Sequence, residues 1–252
     1  MSLSDEYILK VIQKYSHDGQ HKDAVEKAKA ELDRIIKDWA GQCLLSTSIS
    51  GSFAKGTAIT LGSDFDLFVS LDTSSTLKEI YDGLYTRLSQ EGYSVRKQNV
   101  SIGAVVGGLS ADVIPAKKHP GHTNDHSLYL SKTDTWTQTN IEAHTNLVKD
   151  SGRLNEIRIT KIWSKLHRLD FPSFYLELVV IEALKGRPID QPDLNFQKVL
   201  EYLSTSFQSQ KLFDPANTNN TISDLLTASE KELIVGKARE GHDAKGWTTV
   251  VW

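Results

Sequence analysis

The sequence predicts an α+β fold in two lobes, and three observations support this. Short runs rich in β-branched and aromatic residues, separated by Gly and Ser, occur between residues 43 and 114. From Asp134 onwards, apolar residues recur mostly at helical spacing. The 252 residues, 39% hydrophobic and 24% charged, are enough for one domain or two small lobes. We therefore predict a lobe of strands and helices at 1–133 and a helical lobe at 134–252.

The first lobe begins with helical spacing from residue 4 to about residue 40, with a break near Asp18-Gly19. A second helix is predicted from Thr76 to Gln90, where Leu77, Ile80, Leu84 and Leu88 share one face. The predicted strands are Cys43 to Ile49, the run up to Val69, Tyr93 to Val100, Ala104 to Gly108 and Leu109 to Ile114. We expect Pro115 to end the last strand.

The stretch from Ser48 to Val69, SISGSFAKGTAITLGSDFDLFV, carries the chemistry. Side chains alternate along a strand, so Asp64 and Asp66 point the same way while Phe65 points into the core. Two adjacent carboxylates repel each other unless a cation sits there, and hard divalent ions prefer oxygen ligands. Mg²⁺ or Mn²⁺ is the first expectation. The Gly51-Ser52 turn offers a close backbone approach, a hydroxyl and an N–H to a phosphate.

Two other interpretations of this stretch exist. In the first, the glycines form the turns of a hairpin and the aspartates are only solvent-exposed residues at strand ends. The glycines alone, or the aspartates alone, would favour this interpretation. In the second, residues 51–57 form a P-loop, because they read G-x-x-x-x-G-T. The P-loop requires a lysine where Thr57 stands, so we reject it.

The segment GSFAKGTAITLGSDFDLFV resembles the GS(x)nDxD signature of the DNA polymerase β-type nucleotidyltransferase superfamily. The segment SADVIPA, with Asp112, resembles the later strand that carries the third carboxylate of this superfamily. The resemblance implies a two-lobed nucleotidyltransferase fold with an N-terminal mixed β-sheet. It also implies that Asp64, Asp66 and Asp112 are the catalytic residues and bind two metal ions, Mg²⁺ or Mn²⁺, and that Gly51 and Ser52 hold the nucleotide triphosphate.

The second lobe is predicted to contain helices at Asn140 to Lys149, Arg153 to Leu166, Phe174 to Lys185, Phe196 to Gln208 and Ile222 to Glu240. Its run RLNEIRITKIWSKLHRLDFPSFYLE resembles a K-x-W…S-F-x-L-E pattern. That pattern occurs in the oligoadenylate-synthetase-like and bacterial cyclic-oligonucleotide synthase (CD-NTase) branch, and archaeal CCA-adding enzymes are similar here.

By that match, Lys161 and Ser173 bind the nucleotide by contacting its β- and γ-phosphates. From the residues alone, Lys161 belongs to a solvated basic face and Ser173 to a helix N-cap. The later segment FDPANTNNTISDLL is like one that the branch shares, although by itself Asp214-Pro215 is only a turn before an Asn-rich cap.

The resemblance implies an enzyme that joins NTPs, ATP among them, into a cyclic or short linear oligonucleotide messenger and releases pyrophosphate. The branch further implies bacterial antiviral signalling, with the nucleotide in the cleft between the lobes. The alternatives are a CCA-adding-like RNA 3′-terminal nucleotidyltransferase, nucleotidylation of a small molecule or protein, and a catalytically silent binding module. The bases, the linkage, the oligomeric state and a regulatory protein partner stay open at this stage.

Composition and local sequence features limit the classes of binding partner and the cellular location that we expect. A formal net charge of −3 gives no global basic field, so RNA is the less favoured partner. The N-terminus lacks signal-peptide features, and the apolar run from Leu176 to Leu184 is interrupted by charges and too short to span a bilayer. With a single cysteine, Cys43, we expect a cytoplasmic protein without membrane contact. The three histidines of Lys117 to His126 indicate a loop over the active site rather than a zinc site.

Overall fold

A computed structural model describes residues 2–62, 64–121 and 123–252. In chain order its helices and strands are α1 (Leu3–Lys14), α2 (Gly19–Ala40), β1 (Leu44–Ser50), α3 (Gly51–Lys55), β2 (Phe65–Leu71), α4 (Leu77–Gln90), β3 (Val95–Lys97), β4 (Ile102–Val106), β5 (Leu109–Lys118), β6 (His126–Leu130), β7 (Thr135–Thr139), α5 (Ile141–Asp150), α6 (Leu154–Leu166), α7 (Ser173–Ala183), α8 (Pro192–Thr205), β8 (Phe213–Asp214), β9 (Asn217–Thr221) and α9 (Ala228–His242). Short 3₁₀ turns lie at Gly41–Cys43, Ile222–Leu225 and Trp247–Thr249. The mixed α+β fold class is as predicted.

The described residues form two compact units. The sheet unit contains residues 17–55, 64–121 and 123–145, and the helical unit contains residues 2–16, 56–62 and 146–252. The helical unit therefore includes the first helix and a segment from the middle of the chain. The predicted boundary at 133/134 stays a prediction, and the contacts place the change of unit between Thr145 and Asn146.

The sheet unit is built on a seven-stranded mixed sheet of described residues. The strand order is β1-β2-β5-β4-β3, and β6 pairs with β5 and β7. Among the described strand pairs of this sheet, β2 and β5 run parallel and the others are antiparallel. The apolar faces of α2 and α4 pack with the sheet in one core, whose members include Leu32, Ile36, Leu67, Leu84 and Val113. β2 and β5 lie side by side within the sheet, and both contribute side chains to this core.

Local sequence explains where these helices begin. Asp18 caps α2 by accepting a hydrogen bond from the His21 N–H at 2.9 Å. Thr76 and Glu79 form a capping box at the start of α4. The Asp18-Gly19 break and the Thr76 helix start are both as predicted.

Pro115 does not end β5, contrary to the prediction. The strand continues to Lys118, and Pro115 pairs in register with Val69 of β2. On its other side, β5 pairs with β4 only up to Val113 and with β6 only from Ala116. Pro115 thus lies in the gap between two partner strands, where a missing N–H does not interrupt a continuous ladder.

The helical unit packs around one core to which α1, α5, α6, α7, α8 and α9 and the segments between them all contribute side chains. Trp163, Tyr175, Phe196 and Phe207 are all fully buried there. The five helices predicted for the second lobe are present, with ends shifted by a few residues and the last one beginning at Ala228. Two hairpins were not predicted: β6 with β7, and β8 with β9 in the Asn-rich segment after Asp214-Pro215.

Of the residues that the structure describes, no helix is both long enough and apolar enough to cross a membrane.

Candidate active site

The centre of the site is a row of four residues across the sheet. Asp66 of β2 is the register partner of Asp112 of β5. On the outer sides, Asp66 pairs with Ser50 of β1, and Asp112 pairs with Gly103 of β4. Paired residues on neighbouring strands project from the same face about 4.8 Å apart. Asp66 and Asp112, two of the three predicted catalytic carboxylates, are therefore neighbours in the sheet although they lie 46 positions apart in the sequence.

Gly51 lies directly against Asp66. It has φ +57°, and a Cβ built on it would stand 1.8 Å from Asp66 Oδ2 and 2.5 Å from Asp66 Cγ. Any other residue at position 51 would collide with the carboxylate, so glycine is required here both for its backbone conformation and for its missing side chain. Gly51 and Ser52 begin the short helix α3 rather than a simple turn. Ser52 is half-buried.

Asp64 immediately precedes β2, and its side chain is 44% exposed. The Nη2 atom of Arg96, on β3, is 3.9 Å from Asp64 Oδ2. Burial, and next the charge of Asp64, raise the pKa of the Asp112 carboxyl above its ordinary value. A hydrogen bond from Gln98 and the charge of Arg96 act in the opposite direction. The Asp64 and Asp112 carboxylates are thus close enough for their charges to interact, and their predicted shared role in catalysis stays a prediction.

Gln98 was not singled out by the sequence. Its Nε2 donates a 2.7 Å hydrogen bond to Asp112 Oδ1, and its Oε1 accepts one of 3.1 Å from the Ser101 hydroxyl. Gly103 keeps this place open, because a Cβ there would lie 2.8 Å from Gln98 Nε2. The polar run RKQN at 96–99 has no motif that would have indicated this contact, which depends on strand pairing.

A cavity of about 160 Å³ opens beside the carboxylates. Two of the carboxylates, those of Asp64 and Asp112, line it. The other lining residues are Ser94, Arg96, Gly103, Ala104, Val105, Ser110 and Ala111. Among the described residues, no three Asp, Glu, His or Cys side chains already converge tightly enough to grip a metal ion. Repulsion between like charges favours such a spread. The donors themselves are the carboxylate oxygens that Mg²⁺ and Mn²⁺ prefer, so the residues fit a divalent ion.

Lys161 and Ser173 belong to the helical unit. The Lys161 Nζ is buried, 2.6 Å from Glu177 Oε1 and 3.0 Å from Thr57 Oγ1. Thr57 also donates to Glu177 Oε1 at 2.8 Å. The pair therefore fastens residue 57 to α6 and α7, and Lys161 is not on a solvated basic face. Ser173 is the exposed first residue of α7. Their predicted phosphate contacts stay predictions.

The histidine-rich segment is not a metal cluster where it is described. His126 is buried; its Nε2 lies 2.8 Å from the Ser70 hydroxyl and its Nδ1 lies 2.9 Å from the Asn124 carbonyl oxygen. His119 is 2.7 Å from the Ser127 hydroxyl. His122 lies outside the described residues. Lys117 and Lys118 are strand residues of β5, so of the described part of this segment only residues 119–121 and 123–125 lie outside the strands.

No protein-family model matches the chain. A curated protein, the cyclic AMP-AMP-AMP synthase of Escherichia coli (strain MS 115-1), is 23% identical over 266 aligned residues, which cover 88% of this chain and 83% of that protein.

Solved structures give the same answer for the fold. E. coli MS115-1 CdnC, in its complex with HORMA-deltaN, matches with a TM-score of 0.80 and 22% identity over 96% of this chain and 90% of that one. The Bradyrhizobium diazoefficiens CD-NTase CdnG, in complex with GTP, matches with a TM-score of 0.80 and 12% identity over 99% and 96% of the two chains. The Elizabethkingia meningoseptica cyclic dinucleotide synthase CdnE, with GTP and Apcpp, matches with a TM-score of 0.67 and 14% identity over the full length of both.

These relatives are enzymes of the class that the signature predicted. The fold shared over almost the whole chain includes both the sheet with its aspartates and the helices that follow. This chain therefore has the two-lobed nucleotidyltransferase fold of the CD-NTases, and its predicted resemblance to that branch is confirmed.

Proposed function

We propose that this chain is a metal-dependent nucleotidyltransferase that joins NTPs into a cyclic oligonucleotide and releases pyrophosphate. One observation carries the proposal: Asp66 and Asp112 are register partners on adjacent strands, and Asp66 packs against a glycine that no other residue could replace. The similarity to cyclic AMP-AMP-AMP synthase and to cyclic dinucleotide synthase supports a cyclic product.

The three aspartates would hold two Mg²⁺ or Mn²⁺ ions. Such ions, when bound, neutralise charge on the triphosphate and make a hydroxyl more acidic. Asp64, directly before β2, and Asp66, within its first residues, are the carboxylates assigned to the triphosphate side. Asp112, on the neighbouring strand, is the one assigned to the attacking hydroxyl. Phosphoryl transfer is mostly positioning and charge neutralisation, so no protein nucleophile is required.

The phosphates would lie at Gly51 and Ser52. Residue 51 has no side chain of its own, and Ser52 follows it in the first turn of α3. An oxygen donor and backbone N–H groups suit phosphate oxygens. Ser173, exposed at the first position of α7, is offered as a further phosphate contact.

The acceptor is proposed to be a ribose hydroxyl of a second nucleotide. The relatives that carry ATP or GTP in their structures support NTP substrates, and the HORMA-deltaN complex supports a protein regulator as a further proposal. RNA-terminal transfer is less favoured, because the chain carries a formal net charge of −3. The antiviral role implied by the family resemblance stays a prediction.

The test is to incubate the purified protein with all four NTPs and Mg²⁺ or Mn²⁺, with and without tRNA, and to identify small products by mass spectrometry. We expect a cyclic oligonucleotide and pyrophosphate without tRNA. Label transferred only to RNA would replace this proposal with RNA-terminal transfer.

A matched pair of variants assigns the activity to the site. Asp64→Asn combined with Asp66→Asn should abolish the product while the protein melts at the wild-type temperature or above, because a like-charge repulsion is removed. Asp72→Asn, at the exposed residue directly after the far end of β2, is the control and should keep full activity. Full activity in the double variant would contradict the proposed role of these carboxylates.

A further inference from the structure

The side-chain amide of Gln98 is hydrogen-bonded through both its nitrogen and its oxygen. Its Nε2 donates to Asp112 Oδ1 at 2.7 Å, while its Oε1 accepts from the Ser101 hydroxyl at 3.1 Å. A carboxylate can only accept, so the amide orientation that satisfies both neighbours presents nitrogen to Asp112. Ser101 is itself buried, at 3% exposure. The side chain is therefore held in the one orientation that donates to the aspartate.

The backbone of Gln98 is held just as firmly. Its N–H donates to the Ser101 carbonyl at 2.9 Å. Its carbonyl accepts from the Tyr81 hydroxyl of α4 and, at 2.7 Å, from the Ser131 hydroxyl after β6. The residue that directly follows β3 is thus hydrogen-bonded to α4 and to the segment that follows β6. Such support is what a site needs to hold a functional side chain in one geometry.

The facing strand leaves room for this arrangement. Gly103 is the register partner of Asp112, and its missing Cβ would lie 2.8 Å from Gln98 Nε2 and 2.8 Å from Arg96 Nε. The φ of Gly103 is not positive, so its backbone conformation does not require glycine. Its requirement is therefore steric: a side chain here would displace the groups that approach Asp112.

Gln98 contacts only one of the two oxygens of Asp112, Oδ1. Fixing one oxygen of a carboxylate sets the plane and direction of the other. A residue that hydrogen-bonds to a metal ligand orients that ligand. Mutation of such a residue commonly affects metal binding almost as much as mutation of the ligand itself. We propose that Gln98 is a positioning residue that holds the Asp112 carboxylate in the orientation in which it binds a divalent ion; the proposal rests on the metal-dependent function above.

The test measures Mn²⁺ binding to the purified chain from the electron paramagnetic resonance signal of free Mn²⁺, independently of turnover. Gln98→Met keeps the side-chain length and removes the donor. We expect it to weaken Mn²⁺ binding by about 10- to 100-fold. In steady-state assays kcat should fall in the same range, while the KM for NTP should change by less than about threefold, because the triphosphate contacts are intact. Gln90→Met, at the exposed end of α4, is the control and should match wild type.

A second variant keeps Gln98 and displaces it. Gly103→Ala introduces the Cβ that would contact Nε2, so it should weaken Mn²⁺ binding in the same direction as Gln98→Met. Because this Cβ would also crowd Arg96, Arg96→Met is measured beside it. Removing a cation near Asp64 takes away a competitor for that carboxylate, so Arg96→Met should not weaken Mn²⁺ binding.

The Asp112→Asn variant distinguishes failure of the proposed metal site from failure of the positioning inference. If it weakens Mn²⁺ binding while Gln98→Met and Gly103→Ala bind Mn²⁺ like wild type, the positioning inference is overturned and the metal site stands. If Asp112→Asn also binds like wild type, the proposed metal role of Asp112 fails, and the inference about Gln98 fails with it. Weakened binding in all three variants, with Gln90→Met unchanged, supports the inference.

Discussion

A Cβ on Gly51 would stand 1.8 Å from the Oδ2 atom of Asp66, closer than any two such atoms can approach. The backbone that begins α3 and the central carboxylate of β2 are therefore in direct contact. Position 51 is consequently fixed by the position of the carboxylate as well as by its own φ of +57°.

Gly51→Ala should cost both stability and activity. The left-handed conformation costs about 1–2 kcal/mol for a residue with a Cβ. Displacement of Asp66 by about 1 Å should lower kcat by about 100-fold. The measurements are a denaturant unfolding curve and the rate of pyrophosphate release.

Gly107→Ala is the matched control for that variant. Gly107 also has φ +57°, but a Cβ on it would meet no atom within 4 Å. It should lose a similar amount of stability and keep its activity. Equal losses of activity in the two variants would show that backbone strain, rather than contact with Asp66, explains the effect.

Asp112 should make stability depend on pH. Burial and the charge of Asp64 raise its folded pKa above the ordinary 3.8. The protonated carboxyl therefore contributes stability that is fully present below the ordinary pKa and is lost as the pH rises through the raised folded pKa. Asp112→Asn lacks this loss, so its advantage in free energy of unfolding over wild type should grow with pH across that window. Melting curves in EDTA check this; a constant difference would contradict it.

His126, in the same sheet, should make stability depend on pH in the opposite direction. Burial, as the largest cause, lowers its folded pKa below the ordinary 6.5. The neutral imidazole therefore contributes stability that is present above the ordinary pKa and is lost as the pH falls through it towards the lowered value. Wild type should lose more stability than His126→Gln between about pH 7 and pH 5. Parallel pH dependence in the two proteins would show that His126 is not responsible.

The buried pair Lys161–Glu177 should be important for stability. Glu177→Met removes the carboxylate 2.6 Å from a buried ammonium, and loss of one partner of such a pair costs about 3–5 kcal/mol. Glu240→Met, in the exposed pair with Lys237, should cost less than about 1 kcal/mol. Chemical denaturation compares the two, and equal effects would contradict the prediction.

The same pair offers a measurement of the predicted phosphate role of Lys161. If Lys161 contacts phosphate in the working enzyme, Lys161→Met raises the KM for NTP by more than Glu177→Met does. If the two variants share one KM and one loss of stability, the lysine acts through its contact with Glu177 and Thr57. Both quantities come from the same purified variants.

The sequence alone was sufficient for the fold class and for the residues of the signature. The period of apolar residues predicted α2, α4 and the five later helices, because burial of one face imposes that period. The short-range pattern G-S…D-x-D placed Gly51, Asp64 and Asp66 in one segment. It did not predict that Pro115 continues a strand, or that residues 126–139 and 213–221 form hairpins, since these depend on which strands lie alongside.

What only the tertiary structure decided is which residues meet across the sheet. Gln98 and Gly103 reach Asp112 through the pairing of β3, β4 and β5, and a contact set by strand register has no local signature in the chain. Lys161 has a sequence context typical of a basic surface, yet the fold buries it against Glu177. The sequence by itself determined the fold class and the acidic signature, because these depend on periodicity and local spacing, whereas the support around Asp112 depends on long-range packing.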